Sequence, residues 1–245
     1  MPGYGQPDIF YPAYFQGSWR LTRTLVGYTV ADDATNGGSG AEDAATVRRL
    51  VAKANALQGT PLRYRVRFFM NGKGNVVADR AFNQLSFEKA RAAALLGGGG
   101  GGGGSGDTES EPTEIRWDPD SPNILTVSFA SGLLREIKVT KRSFEEPSPG
   151  ESFGSTEYVR LADTNSAGPM GSVPTLAAAR TLVRYRATGG GGGGGGGVAG
   201  TGGGDGGSSL KIEGLELQKF YPPVSLSSDP PPLLTIKTRL EFTRE

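Results

Sequence analysis

Hydrophobic side chains recur at every second position along most of this chain. Leu62, Tyr64, Val66 and Phe68 alternate with Arg63, Arg65 and Arg67, and a period of two predicts a strand with one inward and one outward face. The turn-forming run NGKGN follows, then VVADR, so residues 62–80 read as a β-hairpin. The same reading predicts strands over 114–117, 124–129, 133–140, 154–162, 179–187, 210–220 and 233–243. In the last of these, Leu234, Ile236, Thr238, Leu240 and Phe242 share a face, with Thr235, Lys237, Arg239 and Glu241 opposite. The stretch FYPAYFQGSWRLTRTL, Phe10 to Leu25, opens the series.

Two segments depart from that period. Within 42–57, Val47, Leu50, Val51, Ala54 and Leu57 fall at helical spacing, with acidic residues early and basic residues later, as the helix dipole favours. Residues 86–96, SFEKARAAALL, predict a second helix with Ser86 as its N-cap and glycine at its end. Asp32 to Ala41 is turn-rich. Residues 97–106 and 189–209 are dominated by glycine, whose backbone loses much entropy when fixed and which has no side chain to pack. Both tracts are expected to be disordered loops within a single domain over 8–245.

Nine or so strands and two short helices predict an all-β fold with a minor α component. Strands that are apolar on one face must bury that face and protect the sheet's edges. An up-and-down antiparallel barrel of the lipocalin or calycin kind does both. A two-sheet β-sandwich is the alternative, because alternation alone does not separate the two.

Composition acts mainly by exclusion. The 245 residues include no histidine and no cysteine, so common zinc, haem and thiolate sites lack ligands, and Ser-His-Asp or Cys-His nucleophiles cannot form. No metal, cofactor or catalytic residue is expected. Proton transfer would fall to Asp, Glu, Lys or Tyr. A net charge of +1 gives no drive toward nucleic acid or an anionic membrane surface. No apolar run approaches the ~18 residues of a membrane span, and MPGYGQPDIFYP lacks the basic start and apolar centre of a signal peptide.

Gly17-Ser18-Trp19-Arg20 resembles the Gly-x-Trp that opens the first strand of lipocalin-like barrels. There the indole plugs one end and a late arginine lies over it, which makes Arg239 or Arg186 the expected partner here. A longer resemblance covers most of the chain: FYPAYFQGSW, YRVRFF, VVADRAFN and WDPDSPN are similar to an uncharacterised family of cyanobacterial and plastid proteins, a domain of unknown function associated with the thylakoid lumen. The glycine tracts depart from it as insertions, and the C-terminal half matches loosely. The resemblance implies a chloroplast address in the thylakoid lumen and a compact β-fold, and no activity.

The densest polar cluster is Asp79-Arg80-Ala81-Phe82-Asn83. As a site at the barrel mouth, Arg80 would bind a carboxylate or phosphate while Asp79 and Asn83 orient it. As structure, Asp79 and Asn83 would satisfy loop backbone and Arg80 would bridge elements. With the inward-facing Trp19, Tyr64 and Phe68, these three complete the candidate ligand-binding set. Arg63, Arg65, Arg67, Arg184 and Arg186 read as outward positions, with Glu136 or Glu157 as cross-strand partners. Glu145-Glu146, and Asp118 with Asp120, read as solvated loop acids. The expectation is a non-enzymatic protein of photosynthetic-membrane biogenesis that binds a hydrophobic small molecule or a thylakoid protein. An enzyme using Asp, Glu and Arg groups at the barrel mouth is one alternative, and a structural protein with a filled barrel is another.

Overall fold

A computed structural model describes residues 7–32, 41–97, 111–145, 152–165, 173–188, 210–222 and 231–245. The glycine tracts lie outside the described residues, apart from their margins. Among the described residues there are ten strands: β1 Gly17–Val30, β2 Pro61–Met70, β3 Val76–Ala78, β4 Pro112–Trp117, β5 Ile124–Phe129, β6 Leu133–Phe144, β7 Phe153–Asn165, β8 Thr175–Thr188, β9 Lys211–Tyr221 and β10 Leu234–Arg244. Two helices join them, α1 Ala41–Leu57 and α2 Arg80–Gly97, and a short 3-10 turn, Ala13–Phe15, precedes β1.

All ten strands belong to one antiparallel sheet, ordered β3-β2-β1-β10-β9-β8-β7-β6-β5-β4. Every neighbour in that order is also a neighbour in sequence, except that β1 pairs with β10 and so joins the two ends of the chain. The order breaks between β3 and β4, the two strands that α2 connects. That helix packs against β2 on one side and β4 on the other, so it stands where the sheet would otherwise close. The result is a curled half-barrel with a helix over its opening. The two-sheet sandwich is thereby corrected, and the expected closed ring gives way to an open one.

The helix is long because it begins earlier than Ser86. Asp79 is its N-cap: its carboxylate accepts a 3.0 Å hydrogen bond from the Phe82 N–H, and its carbonyl accepts one from the Asn83 N–H. Arg80 therefore starts the helix and does not end the hairpin, and Ser86 lies within it. The first helix holds its expected bounds. Val47 and Ala54 are buried, and Leu50 and Val51 pack on Phe220, Leu234 and Ala179 of the inner face.

Along each strand the inner face carries the apolar set, and register shifts in β1, β4 and β6 change its phase. Between Leu25 and Gly27 the register of β1 slips by one residue, so the inner face passes from Trp19, Leu21 and Arg23 to Tyr28 and Val30. Between Val139 and Lys141 the same happens in β6. An extra residue moves every following side chain to the other face. That is why Arg142, outward by simple alternation from Val139, is buried instead.

Candidate functional site

The concave face of the sheet and the two helices enclose a cavity of about 490 Å3, within the range typical of small-molecule sites. Its base is built around Trp19, which is fully buried and donates through Nε1 to the Phe15 carbonyl at 2.6 Å. The guanidinium of Arg244 lies over the indole, 4.7 Å from the ring centre. It reaches there by crossing Gly17, whose φ is +114° and whose missing Cβ would stand 3.2 Å from Arg244 Nη2. The Gly-x-Trp pattern thus has a local cause: a side chain at residue 17 would meet the cation on the indole. The expected partners were Arg239 and Arg186, but both are exposed outward residues. Arg244 takes the role because it shares the inner face of β10 with Phe242 and pairs with Trp19.

Above the indole lies an aromatic floor. Tyr11, Phe68, Tyr185 and Phe242 line the cavity, with Phe15 and Phe153 packed behind them at centroid distances of 5.1 Å (Phe15–Tyr185) and 5.5 Å (Phe153–Tyr11). Tyr185, Gly214, Leu240 and Arg23 occupy one row across β8, β9, β10 and β1. Gly214 leaves the space that the Tyr185 ring fills, since a Cβ there would stand 3.0 Å from Tyr185 Cδ1 and 3.3 Å from Leu240 Cβ.

Two buried ion networks cross the middle. In the first, Arg80 holds Asp8 at 2.6 Å and grips both oxygens of Glu157, at 2.8 and 3.2 Å. Arg142 joins it through Glu157 at 3.0 Å, and bonds the Pro7 carbonyl. Four elements are tied together: the N-terminal segment, α2, β6 and β7. Burial alone would raise the Glu157 carboxyl, but the two guanidiniums outweigh it and hold Glu157 below the usual carboxylate range. Burial would likewise lower Arg80, and Glu157 and Asp8 overcome it. Arg142 moves the other way, lowered by burial and by the neighbouring Arg80 charge. In the second network Arg23 pairs with Glu216 and bonds Tyr64. Toward the rim, Glu88 takes Gln84 at 2.7 Å and Arg91 at 2.5 Å, and Arg135 grips Asp163 through two 2.7 Å bonds.

Of the six residues singled out in the sequence, Tyr64, Phe68, Arg80 and Asn83 line the cavity. Trp19 lies beneath its floor. Asp79 stands outside it, capping α2 and bonding Arg67 at 2.8 Å. Asn83 bridges to β2, accepting from the Arg67 N–H at 2.7 Å and donating to its carbonyl at 3.1 Å. Arg80 is engaged by protein carboxylates, so the arrangement of these three is that of a helix start pinned to a strand. Arg63, Arg65, Arg67, Arg184 and Arg186 do face outward and are exposed. Their expected partner Glu157 is interior instead. Arg65 pairs with Glu245, and Arg184 with Glu145.

The residues missed by sequence reasoning are the inward polar ones: Tyr11, Arg23, Glu157, Tyr185 and Glu216. Arg23, Tyr185 and Glu216 each sit in phase with apolar neighbours on their own strands, which is the signal that could have found them. Among the described residues no group of three or more acidic side chains is placed to hold a metal, and no helix is long and apolar enough to cross a membrane. Comparison with curated proteins and with solved structures gives no match. The profile of one family, described as Domain of unknown function (DUF6816), covers residues 3–245. The chain that builds this cavity belongs to the DUF6816 family.

Proposed function

We propose that the protein is a non-enzymatic carrier that holds a hydrophobic small molecule in the trough between the curled sheet and its two helices. The observation that carries this reading is the cavity itself, about 490 Å3 bounded by the described residues of the sheet and the two helices. Leu125, Ile137, Val139, Val159, Leu161 and Ala177 give it an aliphatic wall opposite the aromatic floor. A second observation supports binding over catalysis: the four carboxylates on its wall, Glu88, Glu157, Asp163 and Glu216, are each paired with an arginine. Glu157, held below the usual carboxylate range by its guanidiniums, is a poor proton donor at neutral pH.

The lipocalin-like likeness, in which an indole and a late arginine close the base of a ligand-binding barrel, belongs to this proposal. So does the address in the chloroplast, in the thylakoid lumen, with a role in photosynthetic-membrane biogenesis, which motif resemblance alone supports. Fractionation of organelles tests the address.

Titration with N-phenyl-1-naphthylamine, a neutral apolar fluorophore, tests the binding. The probe should brighten saturably with the wild type, and Ala177→Trp, which places an indole in the lumen, should abolish the signal while the variant still melts cooperatively. Equal brightening of both proteins would refute the cavity as the site, and a protein partner on the rim would then be the reading to pursue.

A further inference from the structure

The floor of the cavity presents donors that the protein itself does not use. Tyr11 and Tyr185 both line the lumen, their ring centres 6.4 Å apart. Tyr64 bonds Arg23 and Tyr28 bonds Asn55. By contrast, among the described residues no hydrogen bond from the Tyr11 or Tyr185 hydroxyl is found. Tyr185 is more than nine-tenths buried. Burial raises both phenols well above their ordinary pKa, so each remains an O–H donor at any physiological pH. Neither hydroxyl oxygen is among the fully buried polar atoms that lack a partner, so both open onto the lumen, and a ligand that displaces water from them must bring an acceptor or leave them unpaired.

The neighbouring charges restrict that acceptor. Arg80 and Arg142 are matched by Asp8 and Glu157, and Arg23 is matched by Glu216. Among the described residues around the two phenols, three guanidiniums therefore face three carboxylates, and no net positive charge is left over for an anionic head group. A carboxylate brought to this floor would lose its hydration without a counter-charge. A neutral oxygen acceptor would not.

Resting on the cavity reading above, we propose that the occupant is an apolar molecule bearing an uncharged carbonyl oxygen, which the Tyr11 and Tyr185 hydroxyls bind as a pair of donors. Gly214 has a part in this, because its bare backbone is what allows the Tyr185 ring to lie across β9 toward Tyr11.

Three matched probes test it by calorimetric titration: decanophenone, decylbenzene and decanoate. The ketone should bind at least about tenfold more tightly than the hydrocarbon, because the hydrocarbon buries the hydroxyls without pairing them. The double variant Tyr11→Phe/Tyr185→Phe should bring the ketone to the hydrocarbon's affinity, leave the hydrocarbon's affinity unchanged or tighter, and keep the wild-type melting temperature. Equal affinity of ketone and hydrocarbon, a preference that survives in the double variant, or tighter binding of decanoate would each overturn the carbonyl assignment while leaving the cavity in place. Failure of all three probes would overturn both.

Discussion

Replacing Arg80 with methionine should destabilise the fold through the carboxylates it leaves behind. The guanidinium is only 16% exposed and its partners Asp8 and Glu157 are 9% and 18% exposed. Without Arg80, two buried carboxylates share the single cation of Arg142. Breaking a buried pair from one side costs about 3–5 kcal/mol. For a domain of this size that lowers the melting temperature by roughly 6–20 °C. Arg80 Nε and Arg142 Nη2 are buried without hydrogen-bond partners, so the intact network fixes position more than it adds stability, and the deficit comes from uncompensated charge.

Its pH dependence separates this cause from lost packing. Glu157 has a folded pKa below its unfolded one. Its contribution is therefore complete above about pH 4.3, the ordinary glutamate value, and is lost as pH falls through the folded value. The variant lacks that contribution at neutral pH, and its Glu157, without the Arg80 guanidinium, takes up a proton sooner. Thermal melts followed by circular dichroism should show a large gap between wild type and variant at neutral pH that narrows on acidification. Arg65→Met, which removes an exposed partner of Glu245 (Arg65 side chain 64% exposed), should shift stability by no more than about 0.5 kcal/mol. A neutral-pH deficit for Arg80→Met no larger than that of Arg65→Met, or one independent of pH, would refute the reasoning.

Asp79→Ala removes the N-cap of α2 and should lower stability by about 1 kcal/mol without altering probe affinity, since the side chain is outside the cavity; a selective loss of binding would return Asp79 to the site. Gly214→Ala should displace the Tyr185 ring and weaken carbonyl probes more than hydrocarbon ones, read by the same titration, and equal weakening of both would mean that the ring position is unimportant for recognition.

Much of this architecture is legible in the sequence, and the places where it is not have physical causes. Period-two alternation marks every strand, β3 included as the second arm of the 62–80 hairpin, because each strand has one buried face. The boundary of α2 is missed because VVADR alternates well enough to pass for strand, and because the bonds that pin the helix start to β2, from Asn83 to the Arg67 backbone, are tertiary. The interior place of Arg142 has no signal in the sequence, because the bulge between Val139 and Lys141 leaves no compositional trace. Glu157 is taken for an outward residue because a charge in a strand is ordinarily solvated, and it is Arg80 from a distant helix, with Arg142 from β6, that makes its burial tolerable. The closed ring is expected because alternation reports that faces are buried, not how the edges are managed. Here α2 covers the opening that strand pairing would have sealed. The partner of Trp19 fails for a similar reason: several arginines lie on late strands, and only the register of β10 against β1 selects Arg244.

Native mass spectrometry of the protein purified from its own source tests the central claim most directly. The account predicts a fraction of the chain carrying one additional neutral mass, an apolar molecule small enough for the cavity, that is absent from Ala177→Trp prepared in the same way. The mass of the bare chain alone, in a preparation that also fails to take up the neutral fluorophore, would contradict it.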